Sequence, residues 1–232
     1  MIIYGQERLE MKIFKAFTLA EILITLGIIG IVAAMTIPNL MTNYFEKRTV
    51  NQLKAAQSII SRAIRLAGEE LGEVESWGIQ ENSWSSNNAQ IVANNLKPFL
   101  KIATDCGLSD SQRKCIPQNY KRLNGQKHDI DYATDTRYYK ITLNNGSALW
   151  WKAGAEKISL ITIWVDTNGN YPPNTYGKDL FVFSYENGGV RPWGAPDGDS
   201  SATVSCKKNS TGYGCAYPVL QTGKMDYLHN SK

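Results

Sequence analysis

One carboxylate stands inside an otherwise uncharged apolar stretch. Between Phe17 and Phe45 the only charged residue is Glu21, and residues 22–37 read ILITLGIIGIVAAMTI. An unpaired charge at bilayer depth costs about 2.5–3.5 kcal/mol on insertion scales, and less near an interface. Such a residue either sits at headgroup level or has a partner and a function. A second group of oxygen ligands lies late in the chain. Asp166, Asn168 and Asn170 follow the one-three-five spacing of calcium loops, with Asp179 further on. Tyr171 stands where an EF-hand needs its glycine and Gly177 where it needs its bidentate glutamate, so this is no EF-hand. An Asx-type turn ordering the loop before Leu180 is the preferred reading, with calcium as the alternative.

Catalytic chemistry finds little support. There is no G-x-S-x-G, H-E-x-x-H, Walker loop or dinucleotide fingerprint. The two histidines, His128 and His229, lie in polar contexts and are expected at the surface; a multi-histidine metal site is excluded. The chain is therefore expected to be no enzyme. Aromatics are plentiful, with six Trp, twelve Tyr and six Phe. Trp150 and Trp151 are adjacent on an expected strand and face opposite sides. At least one should fill a core; a stacking platform for glycan or single-stranded DNA is the alternative. Lys207, Lys208, Tyr213 and Tyr217 make a small basic, aromatic patch whose plain reading is a solvated loop.

The elements that must hold these groups follow from patterning. The 232 residues are 43% hydrophobic and 20% charged, which argues against both disorder and a polytopic membrane protein. A net charge of +4 without a basic stripe is too mild to predict nucleic-acid binding. Residues 17–37 supply roughly the twenty apolar positions that a bilayer-spanning helix needs. Lys12 and Lys15 precede them and favour a cytoplasmic N-terminus, an asymmetry weakened by Lys47 and Arg48 beyond. The run is longer than a secretory signal core and no A-x-A site follows it, so it is expected to be retained.

After Pro38 the pattern turns periodic. Leu53, Ala56, Ile60, Ala63, Ile64, Ala67 and Leu71 recur at steps of three and four, the stripe of an amphipathic helix. One helix from Phe17 to Leu71 would be about 80 Å long at 1.5 Å per residue. Pro38 would interrupt it and favour a kink, and Gly68 or Gly72 would stop it. A loop is expected over 72–89 and a short helix over 89–101, capped by Asn87 or Asn88. A further loop spans 106–127. Strands are expected at 138–143, 148–152, 159–165 and 180–185, the first two joined at Asn145-Gly146. The tail from Pro192 is turn-rich.

The cysteines are Cys106, Cys115, Cys206 and Cys215, two pairs each nine positions apart. Four cysteines allow three connectivities. Local pairing, 106–115 and 206–215, is the simplest because it closes the shortest loops. A four-thiolate zinc site is the rival, disfavoured because no C-x2-C is present.

The string Lys12-Ile-Phe-Lys15-Ala16-Phe17-Thr18-Leu19-Ala20-Glu21, then the apolar run, then Pro38, resembles the type III signal of the type IV pilin and type II secretion pseudopilin family. In that family a prepilin peptidase cuts before an aromatic residue, the fifth mature residue is a glutamate and the twenty-second a proline. Counted from Phe17, Glu21 and Pro38 occupy those places. The residue before the cut is usually Gly and here is Ala16. Met11 begins what would be a complete short basic leader, and it is expected to be the true start.

The resemblance implies an α+β fold, with a long N-terminal helix packed on an antiparallel sheet and a disulfide-stapled C-terminal region. It implies four segments: a prepilin leader (1–16), a transmembrane and filament-core helix (17–38), an amphipathic helix (39–72) and a globular head (73–232). Processing would fall at Ala16 and Phe17, followed by N-methylation of Phe17. The Phe17 amine of a neighbouring subunit would neutralise Glu21 and fix axial register. Gly27 and Gly30 would permit close helix packing, and the helix would loosen between there and Pro38 on assembly. The implied partners are prepilin peptidase, further copies and other pilins in a filament, and an inner-membrane assembly platform; no nucleic acid is expected. The implied location is the bacterial inner membrane with an extracytoplasmic head, and later a filament. No cofactor is required. Major pseudopilins carry a calcium site in a comparable late loop, which strengthens the calcium alternative at Asp166, Asn168, Asn170 and Asp179 while the Asx-type turn stays the preferred reading. Glu21 favours a polymerising subunit over one confined to the tip. A minor pilin or anchored module that captures DNA or glycan is the alternative function.

Overall fold

The computed structural model describes residues 18–81, 83–154, 160–196 and 206–229. The leader, Met11, Ala16 and Phe17 lie outside the described residues. The chain separates into two compact units, residues 1–43 and 44–232. Helix α1 (Leu19–Leu71) contributes to both.

In the first unit α1 carries the apolar run, long and apolar enough to cross a membrane, and none of that run is buried. Its threonine hydroxyls are satisfied within the helix itself. Thr25 donates to the Glu21 carbonyl (2.9 Å), Thr36 to Val32 (2.9 Å) and Thr42 to Pro38 (3.0 Å). Where no water can serve as partner, such back-bonding satisfies the hydroxyl within the segment. The expected interruption at Pro38 does not occur: α1 runs through it unbroken. The proline ring removes one N–H, the one that would reach the carbonyl four residues back, and the ladder on either side carries the helix across.

In the second unit α1 buries Leu53, Ala56, Ile60, Ala63, Ile64 and Ala67, the expected stripe. Leu71 departs from it and is 46% exposed, because the helix ends there. Gly72 takes a left-handed conformation (φ 86°) and its N–H reaches the Gly68 carbonyl at 3.1 Å, a glycine stop. The Trp77 indole then donates to the Gly72 carbonyl (2.8 Å). Helix α2 (Ser86–Leu96) is capped by Ser85, whose hydroxyl accepts from the Asn88 N–H (3.2 Å). Neither Asn87 nor Asn88 is the cap. Asn88 is fully buried, and its side-chain amide ties the Gln80 and Ser83 carbonyls to the helix.

Six strands follow: β1 (Ile102–Gly107), β2 (Tyr139–Leu143), β3 (Ala148–Ala153), β4 (Ile161–Asp166), β5 (Leu180–Glu186) and β6 (Gly189–Pro192). They pair in chain order, every pair antiparallel. The hairpin at Asn145-Gly146 is present; Gly146 adopts φ 85° and the Leu143 N–H bonds the Ser147 carbonyl. Strands β1 and β6 are not among the expected strands: β1 lies mostly between the expected helix and the loop from Cys106, and β6 between the expected last strand and the tail from Pro192. Helix α3 (Ala216–Thr222) likewise lies in the turn-rich tail and buries Ala216 and Val219.

Both faces of the sheet are covered. One face, with Ile141, Leu149, Trp151, Ile163, Phe181 and Phe183, shares a core with α1, α2 and α3. The other face, with Trp150, Trp164, Leu180 and Val182, is covered by the segments around Tyr120, Tyr132 and Tyr176. The two tryptophans point to opposite faces as expected. Each is at most 1% exposed, so neither offers a stacking platform. The fold is α+β: a 53-residue N-terminal helix contacting a six-stranded antiparallel sheet, with a C-terminal disulfide.

Candidate functional site

The sequence motif T-x-x-E at Thr18–Glu21 is a capping box. The Glu21 carboxylate accepts from the Thr18 N–H at 2.8 Å and from the Thr18 hydroxyl at 2.9 Å. The Thr18 hydroxyl accepts in turn from the Glu21 N–H at 3.2 Å. Two otherwise orphaned donors at the start of α1 are thereby satisfied. Thr18 is uncharged and stands out less in the sequence than Glu21, although the motif spells out its role. Within the described residues Glu21 is thus engaged and exposed. Its expected partner, Phe17, lies outside them. Beside Gly27 and Gly30 no atom of the chain approaches within 4 Å of where a side chain would begin, so both leave open notches on an exposed apolar surface.

The late polar loop is built differently. β4 ends on Asp166 and the loop returns through Asp179 just before β5, so the hairpin brings the two aspartates together. Both are fully buried. Asp166 accepts from the Tyr120 hydroxyl (2.8 Å) and the Asn168 N–H (3.2 Å). Asp179 accepts from the Asn174 and Thr175 N–H groups, each at 2.7 Å. Burial, with Asp179 nearby, holds the Asp166 carboxyl well above the usual range. Burial pushes Asp179 up to about 6 against the pull of those backbone donors. The side-chain oxygens of Asn168 and Asn174 are buried with no hydrogen-bond partner. Asn170 does not converge: it is exposed and its amide donates to the Arg113 carbonyl (2.7 Å). The candidate oxygen ligands of this hairpin are therefore Asp166, Asn168, Asn174 and Asp179, hard donors of the kind calcium takes. Tyr120 and Asn174 carried no sequence signal for this role. Tyr120 is distant in the chain, and Asn174 reads as an ordinary turn residue.

The cysteines pair locally, Cys106 with Cys115 and Cys206 with Cys215. Their sulfurs are thereby consumed, and the four-thiolate zinc alternative falls. Asp110, inside the first loop, accepts from the Lys114, Cys115 and Ile116 N–H groups and orders it.

His128 is a correction. It is 8% exposed, not a surface residue. Its ring nitrogens meet the Tyr132 hydroxyl (2.7 Å) and the Tyr213 hydroxyl (3.1 Å), and Tyr176 bonds Tyr132 in turn. Burial, then the nearby Arg122 charge, push it down to about 4, with Asp129 opposing. A histidine amid Asp129 and Lys127 reads as solvated; only the fold shows that its ring turns into the tyrosine layer. Tyr213 of the basic patch belongs to that layer too. His229 lies at the surface, 2.6 Å from the Glu46 carboxylate.

A long N-terminal apolar helix, its later half packed on an antiparallel sheet, and paired cysteines in the head together define a pilin-like architecture. Comparison with known protein families, curated proteins and solved structures finds no match.

Proposed function

We propose that the protein is a structural subunit of a type II secretion pseudopilus or type IV pilus-like filament. The observation that carries this reading is the combination in α1: an exposed apolar run headed by Glu21 that continues without a break into a stripe buried against the sheet. One element thus serves as membrane span before assembly and as filament core after it. Open notches at Gly27 and Gly30 support close packing of neighbouring runs. Two disulfides support an oxidising, extracytoplasmic location for the head. The protein is a substrate of prepilin peptidase rather than an enzyme. The cut falls between Ala16 and Phe17, and the freed Phe17 amine of one subunit pairs with Glu21 of the next. Lipid offers such a pair no competing water, and only one axial offset satisfies both charges. The sites proposed to act together are Phe17, Glu21, Gly27, Gly30 and Pro38.

Calcium binding is part of the same proposal. The buried, partnerless oxygens of Asn168 and Asn174 beside two raised carboxyls favour it. The ion would be held by Asp166, Asn168, Asp179 and Asn174, and would supply the positive charge that two adjacent buried aspartates lack.

The deciding experiment expresses the full chain with a prepilin peptidase and an assembly platform, followed by intact mass and electron microscopy. A chain beginning with N-methylated Phe17, gathered into filaments, is expected. A chain that keeps Lys12 and Lys15 beside an active peptidase would overturn the reading.

A further inference from the structure

A groove of about 480 Å³ lies beside α1 in the second unit. Ile59 and Leu66 of α1, Phe99 and Leu143 give it an apolar floor, and Arg62 and Lys101 stand at its rim. Two neighbouring cations in the chain are paired, Arg65 with Glu69 and Lys97 with Asp105. Arg62 and Lys101 have no acidic partner among the described residues, so their charge is available to something outside the fold.

The same chain carries the complementary shape elsewhere. Leu71 continues the buried stripe of α1 but is 46% exposed. It is flanked by Glu70 and Glu73, two exposed carboxylates without a cationic partner among the described residues. The groove is apolar with two free cations, and the knob is apolar with two free anions. Leu71 follows Arg62 by nine positions, roughly half a revolution round the helix beyond whole turns. Knob and groove therefore look in different directions. A copy that seats its Leu71 in a neighbour leaves its own groove open for another, which makes the contact heterologous and able to propagate.

We propose that the groove is the docking site for Leu71 of a second copy, with Glu70 and Glu73 facing Arg62 and Lys101. The inference rests on the filament reading and assigns it a contact between the end of α1 in one copy and the groove beside α1 in the next.

The test uses full-length chains in membranes, each with one introduced cysteine. All four native cysteines are disulfide-bonded, so a short bis-maleimide reaches only the introduced one. Copies carrying Leu71→Cys are mixed with copies of different mass carrying Asn144→Cys, a position at the groove's edge. A crosslinked heterodimer is expected, with at least tenfold less product in either population alone. Arg62→Glu with Lys101→Glu on the Asn144→Cys copy should cut the product tenfold or more. Glu70→Lys with Glu73→Lys on the Leu71→Cys copy should restore it, which a merely misfolded variant would not allow. No heterodimer, or a charge reversal without effect, would overturn the contact. Asn144→Cys shielded from maleimide in both populations without crosslinking would assign the groove to another occupant and also overturn it. Filaments without the crosslink would sink this contact and leave the filament reading standing. The crosslink without filaments would do the reverse.

Discussion

The Thr18 hydroxyl and the Glu21 carboxylate hold each other across the first turn of α1, the carboxylate accepting from the Thr18 N–H and hydroxyl and the hydroxyl accepting from the Glu21 N–H. A carboxylate that a filament would pair with a neighbour's amine is already occupied in the single chain. On the proposed filament reading, these local bonds would hold it before assembly, and assembly would exchange them for a charged partner.

Glutamine separates the two roles. It preserves a capping box, which accepts Glu or Gln at this place, but carries no charge. Glu21→Gln is expected to insert normally and to reduce filament yield at least tenfold, as Glu21→Ala should. Filament counts by electron microscopy check this; wild-type yield from the glutamine variant would mean that capping alone is the function of Glu21.

The paired aspartates give a pH-dependent prediction. Asp179 has a folded value raised to about 6 from an ordinary 3.8, so the folded state holds its proton longer than the unfolded state. Its contribution is fully present below about pH 4 and is lost as pH rises through 6. In chelator, Asp179→Asn should therefore raise the melting temperature at pH 8 and change it little at pH 4. Millimolar calcium should raise the wild-type melting temperature at pH 8 and leave Asp166→Asn unmoved. Calorimetry with and without chelator measures both; no wild-type response would remove calcium from the site.

His128 slopes the other way. Its folded value lies near 4, below the ordinary 6.5, so the unfolded state binds its proton first. Stability from this group is complete above about pH 6.5 and falls as pH drops toward 4. Over pH 4–6 it opposes Asp179, so each must be read as a difference from its own variant. His128→Gln should be less stable at pH 7.5, through poorer bonds to Tyr132 and Tyr213, and should show a shallower acid decline. Chemical denaturation across pH 4–7.5 provides the check; parallel curves would mean that the ring does not titrate as its burial demands.

Each disulfide closes a loop of nine residues' separation. Chain entropy gives about 2–3 kcal/mol apiece. Replacing Cys106 and Cys115 together by Ala should lower the unfolding free energy by about that amount. Replacing Cys206 and Cys215 should cost more, because Cys215 is buried in the main core immediately before α3. Denaturant midpoints of the two double variants would rank them; equal losses would mean that docking of α3 does not depend on its staple.

The legible parts of the fold were those with a strong local period. The stripe Leu53 to Ala67 repeats every three to four residues, and the buried strands β3, β4 and β5 are dense in β-branched and aromatic residues. β1 escaped because IATDCG has a charge and a glycine and alternates only weakly; its partner is 32 or more residues away. β6, at four residues with a terminal proline, falls below any window. Among site residues Glu21 was legible from context and Asp166 from spacing. Asn174 was not, because its role depends on where a turn carries it. His128 was misplaced because polar neighbours in sequence say nothing about a layer assembled from residues as distant as Tyr176 and Tyr213.

The strand order of the sheet has a further consequence for delivery across a membrane. β1 to β6 pair strictly in chain order, so no strand must slip between two that have already joined. A head emerging N-terminal end first can add each strand to an edge that is already formed, with short loop closures at most steps. The growing edge is the one the next segment of chain is about to occupy, while the outer edge of β1 stays unpaired by any later strand. Only the short outer strands β1 and β6 remain as edges of the finished sheet, a small pairing surface for neighbouring chains.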